Sequence, residues 1–118
     1  MTAANSALLS QQEEKEIPKP ELLNIDYLNV KKAILILRSL NHKFRQQLVK
    51  LIDEHKRLTV TEIYIKLRIE QSMASQHLAI LRKAGIVKTQ RDGKFIYYAI
   101  NYTRVQHIEN CIKSFITT

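Results

Sequence analysis

Between Gln71 and Thr89 the chain carries no Asp or Glu, and inside that window Gln71, Ser72, Ser75, Gln76, Ala79 and Lys83 recur at helical spacing. On a helix they share one face of amides, hydroxyls and a methyl, uncharged until Lys83 in the last turn. Such a face suits the major groove of DNA. Amides pair with adenine edges, hydroxyls donate or accept, and a methyl-sized side chain permits close approach or touches a thymine methyl. The alternative is an ordinary solvated face, but those are usually rich in charge of both signs. Ala74, Leu78 and Leu81 fall on the opposite side and would anchor the helix. Further on, Arg91-Asp92-Gly93-Lys94 places two cations at what reads as a hairpin tip, suited to phosphates or a minor groove. Charged tips also serve solubility, so this signal alone decides little.

Catalytic chemistry finds no footing. The chain has no Ser/His/Asp set, Gly-rich phosphate loop or paired carboxylates, and an enzyme is not expected. Cys111 is the only cysteine, which rules out an intrachain disulfide and a Cys-rich zinc module. His107 and Cys111, four apart, would be neighbours on a helix. Doubled across a dimer they offer four zinc-compatible ligands. The plainer alternative is a small packing cysteine flanked by a polar residue. A redox switch at Cys111 has only Lys113 nearby to activate the thiol. His77, at the edge of the anchoring side, reads as a structural hydrogen bonder. His42 and His55, at the two ends of a helix, suit capping or dipole roles. No metal site and no cofactor are expected.

The elements that must hold these residues are well punctuated. Both prolines, Pro18 and Pro20, lie early, both glycines, Gly85 and Gly93, lie late, and no strong helix breaker falls from Glu21 to Ala84. Residues 1–25 read as a flexible arm. A first helix is expected from Asp26 to Leu40, with Val30, Ala33, Ile34, Leu37 and Leu40 as one apolar stripe and Leu28 and Leu35 as a second line. A helix apolar on two sides needs cover on two sides, and a partner subunit would supply the second. Asn41 is the expected N-cap of a second helix through His55, with Phe44, Leu48, Leu51 and Ile52 inward. Thr59-Val60-Thr61-Glu62 matches a capping box opening a third helix, Val60 to Leu67. A turn at Arg68-Ile69-Glu70 leads to the fourth helix, Gln71 to Ala84, with Gly85 as a left-handed stop. The period then changes from helical to two: Ile86–Arg91 and Phe95–Ile100 read as strands around Asp92-Gly93. A last helix, Tyr102 to Phe115, is expected to bury Val105, Ile108, Cys111, Ile112 and Phe115. The fold class is mainly α with a small β-hairpin. Five helices and a two-stranded wing in this order make a winged helix-turn-helix, with residues 26–118 as the domain.

Composition agrees with a polyanionic partner. The 118 residues carry a net charge of +8. Residues 1–25 hold Lys15 and Lys19 against Glu13, Glu14, Glu16 and Glu21, so the tail is net −2 and the remaining 93 residues net +10. A small domain that basic tends to meet nucleic acid. No stretch is long and apolar enough to span a membrane, and no signal-peptide pattern opens the chain, so a cytoplasmic, reducing setting is expected.

Two runs also carry a resemblance. Gln71-Ser72-Met73-Ala74-Ser75-Gln76-His77-Leu78-Ala79-Ile80-Leu81-Arg82-Lys83-Ala84-Gly85-Ile86-Val87 resembles the recognition-helix signature of the ArsR/SmtB repressors, and Arg91 to Ile100 resembles their wing. The likeness extends over about residues 27–116. It implies a homodimer built on the first and last helices; the apolar positions left over there, Leu28 and Leu35 outside the main stripe and the Ile108, Ile112 and Phe115 face, are the expected interface. It also implies DNA recognition by the fourth helix and repression relieved by a ligand. Double-stranded DNA and a second copy are thus the expected partners. The alternative is a winged-helix module for protein–protein assembly without DNA binding. The chain departs from the family at its metal sites. Thr59 and Thr61 stand where many members place a Cys-x-Cys. Tyr102-Thr103-Arg104 offers no ligand where the last-helix site begins, and Phe115 falls near a later ligand position.

Neutral hydroxyls cannot replace two thiolates around a soft divalent ion. DNA binding should therefore be unaffected by zinc, cadmium or arsenite titrated into the protein–DNA complex. Release by zinc that vanishes in Cys111→Ser would instead make the last helix a sensor.

Overall fold

The structure is a computed structural model that describes residues 22–117. The expected arm, residues 1–25, lies outside the described residues up to 21. The chain divides after Val30 into two units. In the first, Asp26 Oδ1 accepts from the backbone N–H groups of Leu28 and Asn29 at 3.1 and 3.2 Å. A short carboxylate at that position satisfies donors that an opening helix leaves unpaired. It starts α1 (Tyr27–Leu40).

The end of α1 is accounted for group by group. A helix leaves its last four carbonyls without intrahelical partners. Here Leu37 O accepts from the Asn41 backbone N–H at 2.9 Å. Arg38 O and Ser39 O accept from the Arg45 guanidinium at 3.0 and 2.7 Å, and Leu40 O accepts from Gln46 Nε2 at 2.8 Å. Both side chains belong to the first turn of α2 (Lys43–His55). The N-cap of α2 is His42, not the expected Asn41: its backbone is extended and its Nδ1 accepts from Phe44 N and Arg45 N. Asn41 is already committed to closing α1. At the far end of α2 the His55 ring lies 3.0 Å from Leu51 O, the terminal role expected of it.

Strand β1 (Arg57–Thr59) was not foreseen. Thr59 ends it and caps α3 (Val60–Leu67) with the expected box: Thr59 Oγ1 accepts from Glu62 N at 3.1 Å, and Glu62 Oε1 accepts from Thr59 N at 2.8 Å. Arg68, in the left-handed region at φ 57°, reverses the chain into α4 (Gln71–Lys83). At the end of α4 the N–H of Ile86 reaches back to Leu81 O while Gly85 adopts φ +80°, the left-handed stop read from sequence. Strands β2 (Val87–Asp92) and β3 (Phe95–Ile100) form the hairpin, and β1 pairs along β3 to give the antiparallel order β1-β3-β2. Asp92 pairs with Phe95, so the two-residue turn is Gly93-Lys94, one step later than the expected Asp92-Gly93. With Gly93 at φ +65° as its first residue, it follows the hairpin turn that needs glycine there. Asn101 then caps α5 (Tyr102–Ile116), its side chain accepting from Arg104 N.

Leu48 and Ile52 of α2, Ile63 of α3, Leu78 and Leu81 of α4, and Ile86 form a fully buried centre, with Leu58, Val87 and Ile100 closing it from the sheet. Each such side chain contributes about 1.5–3 kcal/mol when removed from water. The expected cover of α1 and α5 fails within one chain. Of the α1 stripe only Leu40 is even half-buried, and α1 instead turns Ile36 and Ser39 inward. The Ser39 side chain tolerates burial because its hydroxyl donates to Ile36 O. On α5 Ile108 is buried and Val105 and Ile112 are half-buried, whereas Cys111 is exposed and Phe115 is 83% exposed. The reason is geometric: among the described residues nothing lies beyond α1 and α5 to cover their far sides.

One contact between α2 and α4 titrates. Arg45 Nη1 lies 3.2 Å from His77 Nδ1. A guanidinium only donates, so Nδ1 must be the unprotonated acceptor. The His77 pKa is lowered from its ordinary 6.5, first by burial and then by the neighbouring His42 and Arg45 charges. The native state therefore takes up a proton less readily than the unfolded chain. Stability is full above about pH 6.5 and is lost as pH falls from there through the lowered native value. Denaturant unfolding between pH 8 and 5 should show this loss, and His77→Gln, which keeps an acceptor but does not titrate, should show a shallower slope. Equal slopes would remove His77 as the cause.

Candidate nucleic-acid interface

Helix α4 is held by one face and bare on the other. Ala74, Leu78 and Leu81 are fully buried against α2 and α3, while Gln71, Ser72, Ser75, Gln76, Ala79 and Lys83 are all exposed. The six residues singled out by spacing thus occupy a single open surface. Glu70 at the N-cap makes no side-chain bond to the helix, so the first-turn N–H groups point outward without a side-chain cap. A helix N-terminus in that state favours an anion such as phosphate.

Three contacts that sequence reasoning missed fix α4 and the wing. Arg45, through His77, joins the α1–α2 corner to the middle of α4, and the His77 ring also packs against Phe44 and His42 at 4.8 and 4.9 Å between centroids. At the other end, Arg104 of α5 donates Nε and Nη2 to Ala84 O at 3.3 and 3.1 Å. Glycine leaves room for that approach: a Cβ on Gly85 would lie 3.0 Å from Arg104 Nε, a tight contact from which the side chain would have to shift. The third is Arg57 of β1, whose guanidinium lies 4.0 Å from the Tyr97 ring centre and pairs with Asp92 at 3.1 Å. It neutralises the one acid of the hairpin tip. Arg91 and Lys94 remain exposed there, Arg91 near Gly93 O at 3.4 Å and Lys94 over Phe95. No sequence pattern marks these arginines, because each acts on a group 20 or more residues away.

The residues expected at a subunit interface fall in two places. Ile108, Ile112 and Phe115 line a hollow of about 400 Å³ together with Ala33, Leu37 and Cys111. Leu35, 57% exposed, lies on the other flank of α1, in a second hollow beside α4. Leu28, in the first unit, is 62% exposed. Cys111 Sγ lies 3.8 Å from His107 Nε2, so the pair is adjacent as read from sequence. Among the described residues no three His, Cys, Asp or Glu side chains come together as a metal site. Nor is any described helix long and apolar enough to cross a membrane.

A helix-turn-helix whose second helix presents an acid-free polar face, followed by a β-hairpin with a cationic tip, defines a winged-helix DNA-binding protein. Comparison with known proteins carries this further. Residues 42–89 match the model of the bacterial regulatory proteins of the arsR family. The transcriptional repressor PagR of Bacillus anthracis is 36% identical over 84 residues, covering 71% of this chain and 84% of that protein. The transcriptional activator HlyU of Vibrio cholerae is 32% identical over 78 residues, covering 66% and 71%. The crystal structure of PagR superposes with a TM-score of 0.60 at 33% identity, covering 74% of this chain and 99% of that one. The chain belongs to the ArsR family. It is a DNA-binding transcriptional regulator, a class without enzymatic activity, and these relatives lend nothing to a purely protein–protein assembly role.

Proposed function

We propose that this regulator is a cytoplasmic repressor that binds a near-palindromic operator as a homodimer. The observation that carries the reading is the open face of α4, where every residue able to reach a base edge is neutral and no carboxylate intervenes before Asp92. In this reading Ser75 and Gln76 contact base edges, Ala79 lets the helix approach, and Gln71, Ser72 and Lys83 flank them. Arg91 and Lys94 hold the phosphate backbone. The repressor sense is supported by the relative named as one, PagR.

Self-association is supported by the uncovered apolar surfaces of α1 and α5. The hollow of Ala33, Leu37, Ile108, Ile112 and Phe115 is one part of that surface, with Leu28 as a further interface position on α1; Leu35 lies on the other flank, outside this hollow. Two copies related by a two-fold axis would set two α4 helices about one DNA turn apart and so require inverted half-sites.

Mobility shift against the DNA upstream of the protein's own gene tests the reading. Gln76→Ala should cost on the order of 1–3 kcal/mol and relax preference at one position. Arg91→Ala or Lys94→Ala should weaken all sequences alike and flatten the salt dependence. A Gln76→Ala protein with unchanged affinity and base preference would mean that α4 is not the reading helix.

Phe115→Glu or Leu37→Glu should give monomers by sedimentation and lose tight operator binding, because each puts a charge into the apolar hollow. Wild-type protein that sediments as a monomer at micromolar concentration would remove the dimer from the mechanism.

A further inference from the structure

The second hollow, on the α4 side of α1, shares Ile36 and Arg104 with the one beside α5 but adds two lysines, Lys32 and Lys83, that the other lacks. It is about 400 Å³, within the range of small-molecule clefts, and its floor is Leu35, Ile36, Ile80 and Ala84. Lys32, Lys83 and Arg104 complete its lining, with no carboxylate among them. None of the three cations forms an ion pair among the described residues. An apolar floor under three unpaired cations is complementary to an organic anion with an apolar body. A DNA phosphate would use the cations but leave the floor unfilled, and a neutral apolar ligand would leave the cations unanswered.

Arg104 makes the hollow more than a receptacle. Two of its N–H groups share one acceptor, Ala84 O, at 3.3 and 3.1 Å, the long end of the hydrogen-bond range. A carboxylate accepts from a guanidinium through two oxygens in a matching fork and is the stronger acceptor. An anion seated here would draw Arg104 off Ala84 O and free the C-terminal end of α4. The next residues are Gly85 at φ +80° and Ile86, whose carbonyl is held by Asn101 N at 2.9 Å at the start of α5. The aim of α4 and the root of the wing would be released together.

We propose that this hollow binds an amphipathic carboxylate that weakens DNA binding by competing for Arg104. The regulatory half rests on the DNA-binding reading above; the binding half does not.

The test uses the full ¹⁵N-labelled chain with decanoate, kept below its micelle-forming concentration, and decanol as the uncharged control. Decanoate should shift the amide signals of Leu35, Ile80, Ala84 and Arg104 saturably, and decanol should bind at least about tenfold more weakly. Lys32→Gln, which removes one cation from the rim, should weaken decanoate about fivefold and leave decanol unchanged. In mobility shifts, decanoate should release wild-type protein from DNA, and Lys32→Gln, with ordinary affinity when unliganded, should need more decanoate. Shifts confined to Cys111–Phe115, equal binding of decanol, or no effect of Lys32→Gln would overturn the site. Decanoate binding without release would overturn the regulatory half. A protein that binds no DNA even without decanoate would sink the DNA reading, while the titration would still decide the site.

Discussion

One guanidinium sets the relation among three helices. Arg45 sits in the first turn of α2, yet its donors go to Ser39 O and Arg38 O at the end of α1 and to His77 on α4. Buried or half-buried carbonyls at a helix end must find partners, and satisfying two of them with one planar group fixes direction as well as position. The same group forces the tautomer of His77, so the α2–α4 contact has only one hydrogen-bonding arrangement. Everything that α4 presents to solvent follows from where this corner holds it.

The core fixes how deep α4 sits, and the arginines fix where it points. Ala74, Leu78 and Leu81 bury without directionality, because apolar packing constrains separation more firmly than rotation about the helix axis. His77 in the middle and Ala84 O at the end supply the directional constraints. The wing has its own version: β1 supplies Arg57 to the hairpin tip, pairing Asp92 and covering Tyr97. An exposed ion pair of this kind contributes little to stability. Its effect is on charge, since it leaves the tip to Arg91 and Lys94.

What was legible in the sequence was local. The change of period after Gly85, the Thr59–Glu62 box and the two faces of α4 each depend on residues within a turn or two, and all were found where spacing put them. What was not legible depends on partners far along the chain. Arg57–Thr59 is three residues long and is a strand only because Tyr97–Ala99 pairs with it. His42 displaces Asn41 as a cap because the turn is too short for Asn41 to serve both helices. The turn centre shifts to Gly93-Lys94 because the Asp92↔Phe95 pair extends the ladder by one step. Apolar spacing on α1 announced that several sides need cover, but not which side meets the chain's own core; the line that does, Ile36 and Ser39, includes a serine that no hydrophobic pattern selects.

That misread helix explains how the outer layer relates to the reading helix. Only a narrow line of α1 faces inward, and its two flanks open onto different surroundings: Ala33 and Leu37 onto the apolar hollow of α5, Leu35 and Lys32 onto the cationic one beside α4. A partner subunit suits the first and a small anion the second, because the second adds Lys32 and Lys83 to the shared Arg104, and burying them under a protein surface without counter-charges is costly. Both flanks belong to a helix whose last carbonyls are gripped by Arg45, and Arg45 also grips His77. Arg45 is thus the group through which the end of α1 is tied to α4. The second route, through Arg104 to Ala84 O, reaches the same helix from its other end. Polar contacts from outside the core therefore meet α4 at two points, the middle and the C-terminus, with the buried face of Leu78 and Leu81 packed into the core between them.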